Sequence, residues 1–307
     1  MVVTHGSLQP ARSRCALTIG NFDGVHRGHR SLVDRVCAKA RELGLVPAVL
    51  TFEPHPREFF AAGTAPARLT RLRDKLELLA AAGVGRVHVA QFDARFAALG
   101  AERFIEEVLV SGLGARWLAV GRDFRFGAGR KGDFAMLEAA ARRHGFVLET
   151  VADVLVDGQR VSSSAIRAAL AAADFARAER LLGHAYTISG RVAHGAKLGR
   201  SLGFPTANIV LRRPPPLSGI YAVEVEGLGS RQAGVASVGR RPTVNPVSIP
   251  LLEVHLFEPR ENLYGEHLRV RFLEKLRDEE KYDGLEALRQ AMARDTEQAK
   301  EFFARHG

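Results

Sequence analysis

Residues 16–29 read ALTIGNFDGVHRGH, a short apolar run that empties into glycines, an Asn-Phe-Asp triplet and two histidines three residues apart. An apolar run of that length bounded by glycine reads as a buried strand. The apolar positions that resume at about Gly28 and continue to Leu43 have a helical period, so the polar stretch is the turn from a strand into a helix. A helix N-terminus presents unsatisfied N–H groups and the positive end of its dipole, which makes this turn a ready anion site. Gly20, Gly24 and Gly28 let the backbone approach a phosphate with no Cβ in the way. His26 and His29, one helical turn apart, can face one point and donate to a phosphate oxygen whose charge grows in a transition state. A dinucleotide fingerprint is excluded because the spacing is not G-x-G-x-x-G. A metal pair and a turn with two idle surface histidines are the alternatives this stretch leaves open, although no nearby Glu or third His completes a metal set.

Outward from this turn, short β-like runs alternate with amphipathic helical patterns. Candidate strands cover residues 16–20, 46–52, 86–90, 117–121 and 146–151. Between them a helix follows Thr70, with Leu72, Leu76 and Leu79 on one stripe. Another runs through Phe104, Ile105, Val108 and Leu109, and a fourth follows a cap at Asp133. Strand and helix in repetition mean right-handed crossovers and a parallel sheet whose ligand sits beyond the strands' carboxyl ends. The rhythm changes near Tyr186. GIYAVEVEG, LLEVHLFE and HLRVRFLE alternate apolar and polar residues between glycine and proline clusters, the pattern of an antiparallel barrel or sandwich. One helix closes the chain, with a capping-box spacing at Asp283 and Glu286 and a stripe of Leu285, Leu288 and Met292. The reading is an α/β domain over residues 1–184 and a β domain with a terminal helix over 185–307.

Composition bounds the function. The 307 residues carry 44 Lys+Arg against 34 Asp+Glu, a net charge of +10, of which +7 falls before residue 184 (26 against 19) and +3 after it (18 against 15). The excess is scattered arginine with no polybasic run interleaved with aromatics, which argues against nucleic acid and for small phosphorylated ligands. No apolar run approaches the ~18 residues that cross a bilayer. The N-terminal residues lack the apolar stretch of a signal peptide. Two cysteines without metal-type spacing fit a reducing, cytoplasmic setting. The sequence specifies no membrane partner and no oligomeric state.

Further segments fall at strand ends. TFEPHP (51–56) and GRDFRFG (121–127) bring His55 and Asp123 to the same carboxyl edge as His26 and His29. In VSSSAIR (161–167), Ser162, Ser163 and Ser164 precede a short helix and can cap it or bind phosphate, with Arg167 as a clamp. Structural readings stand beside these: Ser163 as a cap only, His55 as part of a Pro-flanked turn. In the second half, GRVAHGAKLGRSLGFPTANI (190–209) fails the Walker A order although Gly195, Lys197, Gly199, Arg200 and Ser201 are present. Pro205 instead stiffens a bend that sets Thr206 and Asn208 two residues apart, a hydroxyl and an amide oxygen suited to Mg2+ on nucleotide phosphates. Glu253, on the face opposite Leu252, Val254 and Leu256, is placed to take a proton from an attacking hydroxyl, or else lies on a solvated sheet face.

GNFDGVHRGH resembles the (H/T)-x-G-H motif of nucleotidyltransferases, in the form found in the bacterial bifunctional riboflavin kinase/FMN adenylyltransferase (FAD synthetase) family. TFEPHP, GRDFRFG and VSSSAIR follow in that family's order, and GFPTAN (203–208), GIYAV, GRRPT, EVHLF and LYGEHLRVRFLEKLRDE continue it, so the resemblance spans roughly residues 14–303. It implies a Rossmann-like nucleotidyltransferase domain followed by a six-stranded split β-barrel kinase domain. The implied activities are phosphorylation of riboflavin to FMN and adenylylation of FMN to FAD, with ATP as co-substrate and Mg2+ as cofactor. Implied for the adenylyl site are catalytic His26 and His29, nucleotide contacts from Gly20, Asn21, Phe22, Asp23, Gly24, Gly28, Asp123, Ser162, Ser163 and Arg167, and flavin contacts from Phe52 and His55. Implied for the kinase are the base Glu253, Lys197 and Gly199 on the nucleotide, Thr206 and Asn208 on Mg-ATP, and Arg277 on the flavin. The sequence departs from the family pattern at Glu53 (usually Asp), Leu198 and Ala165 (commonly Arg) and Ser237 (commonly Asn).

Overall fold

The computed structural model describes the chain except residues 7–8, 12, 62, 196–197, 242–248, 259, 261 and 307. It forms two compact units, Met1–Pro66 with Leu72–Ser162, and Ala67–Arg71 with Ser163–Gly307. Helices upstream of residue 185 thus pack with the second unit, as does the short segment between residues 67 and 71.

The first unit is a parallel sheet covered by helices. Its elements are β1 (Val2–His5), β2 (Cys15–Ile19), α1 (Arg27–Leu43), β3 (Val46–Glu53), α2 (Pro56–Phe60), α3 (Leu72–Ala81), β4 (Arg86–Gln91), α4 (Ala94–Ala97), α5 (Ala101–Arg103), β5 (Ala115–Gly121), α6 (Phe134–His144) and β6 (Val147–Val151). A two-stranded hairpin, β7 (Leu155–Val156) and β8 (Gln159–Arg160), follows. The strand order is β1-β4-β3-β2-β5-β6, every pairing parallel. From β2 the chain winds to β3 and β4 on one side and then returns to β5 on the other. The carboxyl end of β2 is therefore the switch point where such sheets open a crevice. All five residues of β2 are buried, as a central parallel strand covered on both faces requires. Helix α1 lays Val33, Val36 and Ala40 on the sheet, and Gly44 ends it in a left-handed cap at φ +64°.

Three features depart from the sequence reading. The edge strand β1, half-buried at one residue only, carries no alternation that a pattern search detects. The helix through Phe104 continues α5 as a π-helix over Phe104–Gly112, wound to five-residue bonds so that Phe104, Ile105, Val108, Leu109 and Gly112 all reach the core. The β7–β8 turn is Asp157-Gly158, both at positive φ, an Asp-Gly hairpin signal that the sequence reading passed over.

The second unit holds α7 (Ser163–Ala171), α8 (Phe175–Leu182), β9 (Thr187–Ala193), α9 (Leu198–Ser201), β10 (Ala207–Val210), β11 (Gly219–Leu228), β12 (Ser230–Arg241), β13 (Ile249–Leu256), β14 (His267–Arg277) and α10 (Leu285–His306). The six strands close an antiparallel barrel in the order β10-β13-β12-β11-β14-β9. Tyr221, Val223, Val225, Leu252, Val254, Leu268, Val270 and Phe272 fill its interior, as the period-two alternation predicts. Helix α10 covers part of the outer wall, packing Ala299 and Phe302 with Ile220, Ala222 and Val235. Its buried stripe starts later than expected: Leu285 is exposed, and Ala291, Asp295, Thr296 and Ala299 are buried. Glu286 turns forward to Arg289 and Gln290 rather than back to Asp283, so the capping box is not formed.

Candidate active sites

In the first unit the turn after β2 is built around close contacts. His26 is the N-cap of α1, which starts one residue before the expected Gly28, and its Nδ1 accepts the His29 amide at 3.2 Å. The two imidazoles stack, centroids 3.6 Å apart and 14° from parallel. The stack explains Gly28: a Cβ there would lie 3.3 Å from the His26 ring. Phe22 sits at φ +48° and Val25 at φ +39°, conformations that cost of order 1–3 kcal/mol each and collect at functional turns. The Phe22 ring is wholly buried and lies 5.0 Å from His29. Asp23 is buried too. The Nδ1 of His29 is buried and has no hydrogen-bond partner among the described residues. Burial, then the charges of His26 and Lys75, push the His29 imidazole well below its ordinary titration range. That shift favours the neutral imidazole, which is available as a hydrogen-bond donor rather than as a cation.

Within the first unit Phe52, His55 and Asp123 lie at the carboxyl ends of β3 and β5. His55 N-caps α2, its Nδ1 accepting the Arg57 amide at 3.1 Å. Phe52 packs edge-on to Phe92 at 5.9 Å, and Phe92 carries Phe59 and Phe60 in edge-to-face contact, Phe60 being 68% exposed. This exposed aromatic group is invisible in the sequence because its members come from different elements. Asp123 lies exposed after β5 and is held by Arg160 of the hairpin at 2.8 Å. Ser162 follows Val161, whose carbonyl is 3.8 Å from where a Gly28 Cβ would be, so the backbone before Ser162 reaches the α1 N-terminus. Ser163 and Arg167 belong to the second unit, where Arg167 Nε donates to the Ala67 carbonyl at 2.6 Å.

In the second unit, register places the predicted residues in one row. Asn208 of β10 pairs across to Glu253 of β13, Glu253 to Ser237 of β12, Ser237 to Ile220 of β11, and Ile220 to Arg277 of β14. Residues opposite one another on paired strands share a face. The row therefore runs along the outer wall, opposite the interior side chains. A cavity of about 380 Å³ opens over it, lined by Gly199, Phe204, Thr206, Ser237, Glu253, Arg277 and Glu279 and roofed by Met292 and Asp295 of α10. Asn208 is buried; its amide donates to the Thr206 carbonyl at 3.2 Å, and its Oδ1 has no partner among the described residues. Gly195 and Gly199 are glycines by necessity, since a Cβ would strike the Asn208 amide at 2.6 Å in one case and the Phe204 carbonyl in the other. Lys197 lies outside the described residues. Arg277 makes a two-pronged ion pair with Asp295, both contacts 2.7 Å. Glu279 lies over Gly239, where a Cβ would overlap its carboxylate. Burial raises the Glu279 carboxyl above its usual range, Arg277 opposes that, and the charge of Glu253 adds to it.

With two such sites in one chain, comparison with known proteins is decisive. A family model for FAD synthetase matches residues 8–165, and one for riboflavin kinase matches residues 182–303. The bifunctional riboflavin kinase/FMN adenylyltransferase of Escherichia coli (strain K12) is 50% identical over 301 residues, 97% of this chain and 96% of its own. The chain belongs to the bifunctional riboflavin kinase/FMN adenylyltransferase family. The Haemophilus influenzae member is 51% identical over 291 residues, 94% of each chain. The Pseudomonas fluorescens member is 48% identical over 299 residues, 97% of this chain and 96% of its own. A solved Streptococcus pneumoniae structure described as a macrolide-efflux protein shares the fold at a TM-score of 0.77 and 26% identity, covering 96% of this chain and 97% of its own. No helix among the described residues is long and apolar enough to cross a membrane. In family terms, the departure at Ser237 is the residue directly across from Glu253.

Proposed function

We propose that residues 1–184 carry adenylyl transfer and residues 185–307 carry phosphoryl transfer, each on the residues gathered above. The chain is a transferase with both activities, riboflavin kinase and FMN adenylyltransferase, and uses ATP in each. The single observation that carries the site assignment is the row Glu253–Ser237–Ile220–Arg277 along one wall of a cavity, with Asn208 next to Glu253 in register.

In the kinase, Glu253 takes the proton of the riboflavin 5′-hydroxyl as that oxygen attacks the γ-phosphorus and ADP departs. Thr206 and Asn208 are the residues that would hold Mg2+. The buried Asn208 amide oxygen, without a partner among the described residues, is a hard-oxygen donor that fits such a cation, and the Thr206 hydroxyl is of the same kind. When bound, Mg2+ neutralises charge on the transferring phosphates. Lys197 and Gly199 contact the nucleotide. Arg277, fixed by Asp295, bounds the flavin end of the cavity.

In the adenylyltransferase, an FMN phosphate oxygen attacks the α-phosphorus of ATP and the bond to pyrophosphate breaks. That nucleophile needs little help from a base, so catalysis rests on positioning and electrostatics. His26, His29 and the α1 N-terminus hold the ATP phosphates, with Gly20, Asn21, Phe22, Asp23, Gly24 and Gly28 forming the turn. Asp123, Ser162, Ser163 and Arg167 complete the nucleotide contacts. Phe52 and His55 serve the flavin, a reading supported by the exposed Phe59 and Phe60 beside them. Small molecules alone are the partners in this proposal, without nucleic acid or membrane. A cytoplasmic setting is part of it, in keeping with two free thiols. Incubation with riboflavin and Mg-ATP, followed by chromatography of the flavins, is expected to yield FMN and then FAD. Absence of both overturns the assignment, and loss of turnover in EDTA with recovery on added Mg2+ tests the metal.

A further inference from the structure

Among the described residues Lys75 is the one lysine with a wholly buried side chain, 1% exposed on α3, and the chemistry above leaves it without a role. Its Nζ donates to Thr51 Oγ1 at 3.4 Å, and that hydroxyl donates onward to the Asn21 carbonyl at 3.2 Å. Thr51, on β3, is itself fully buried. The carbonyl it holds belongs to the peptide that leads into Phe22, the residue at φ +48° whose ring lies 5.0 Å from His29. A charged donor at the head of such a chain polarises the bonds that follow it and strengthens them. A strained turn persists only when its surroundings over-determine it, and here the determinants are a buried ammonium and a buried hydroxyl.

We propose that Lys75, acting through Thr51 and the Asn21–Phe22 peptide, is a positioning residue for His29 in the adenylyl site. The proposal rests on the reading that His29 serves adenylyl transfer. Lys75 touches no reacting atom; it fixes the peptide that sets the Phe22 ring and, through that ring, the imidazole. The ammonium also adds to the forces that keep His29 neutral.

The test uses the full chain with two variants. Thr51→Val keeps the shape of the side chain and removes only the hydroxyl, and Lys75→Met keeps its length and removes the charge. Each is assayed for FAD formation from supplied FMN and for FMN formation from riboflavin, and the His29 imidazole is titrated by NMR. Thr51→Val is expected to lower kcat/KM for adenylylation at least fivefold, since it removes both the bond from Lys75 and the bond to Asn21. Lys75→Met is expected to lower it at least tenfold and to raise the His29 titration midpoint, with Lys75→Arg recovering part of the rate. The double variant should be no worse than Lys75→Met, because both changes cut one chain. Kinase rates should be unchanged throughout. His29→Ala in the same assay separates the two claims. If it leaves adenylylation intact, the site reading fails. If it abolishes adenylylation while Thr51→Val and Lys75→Met have wild-type rates and an unmoved His29, the positioning role alone is overturned. Additive single effects, or equal losses of both activities, overturn it as well.

Discussion

Replacing Asp295 by Asn cuts the tie between the barrel and its terminal helix at the rim of the kinase cavity. Asp295 is 6% exposed and Arg277 21% exposed by side chain, and two 2.7 Å contacts join them. Breaking a fully buried pair costs about 3–5 kcal/mol because the surviving charge loses its partner. Arg277 keeps some solvent, the Asp278 carbonyl at 2.9 Å and the Tyr282 ring at 5.7 Å, which discounts the figure to about 2–3 kcal/mol. At about 2–4 °C per kcal/mol for a unit of this size, the barrel transition should fall by about 4–12 °C. The assay is differential scanning calorimetry beside the two activity assays. Kinase KM for riboflavin should rise, because the released guanidinium no longer bounds the cavity, while adenylylation of supplied FMN at 25 °C stays at the wild-type rate. A shift under 1 °C with unchanged riboflavin KM would refute the reasoning, since a pair this buried cannot be energetically idle.

Two further predictions concern the chemistry of each site. Gly239→Ala places a Cβ on the Glu279 carboxylate, which is the free end of an exposed side chain and can swing into solvent. Stability should therefore change by less than about 1 kcal/mol, while riboflavin KM rises severalfold in steady-state kinetics as Glu279 leaves the cavity. His29 binds a proton less readily folded than unfolded, so the unfolded chain takes up the extra proton as pH falls below the ordinary histidine range. Its contribution to stability is complete above about pH 6.5 and declines as pH drops from there toward the depressed folded value. Denaturant melts between pH 7 and 5 should show that loss in wild type and a shallower slope in His29→Asn.

What was legible in the sequence is what repeats. The alternation of GIYAVEVEG and LLEVHLFE set Tyr221, Val223, Leu252 and Val254 on one face of the strands of an antiparallel barrel or sandwich; each is buried and the strands close a barrel. The glycine-rich turn after a short apolar run was legible as the passage from a strand into a helix because backbone geometry forces that residue choice, and the strand order puts it at the sheet's switch point. Less legible were charges on buried faces. Lys75 lies at i+3 from Leu72 on the stripe that continues to Leu76 and Leu79, and Asp295 lies on the stripe from Ala291 to Ala299. In both, the polar side chain interrupts the very pattern used to find the helix. Its partner, Thr51 in one case and Arg277 in the other, is remote in sequence. His26 carried two roles in one side chain. Its place in H-x-G-H was read, but its service as the α1 cap was not, because histidine is not among the usual capping residues.

The central claim is that two separable sites act in series, and one pair of substitutions tests it most directly. Glu253→Gln removes the base without changing shape, and should lower FMN formation from riboflavin by about 10²–10⁴-fold while FMN is still converted to FAD. His29→Ala should do the reverse, so that riboflavin is turned over but the products stop at FMN. Either variant, shown to be folded, losing both steps together would contradict the account.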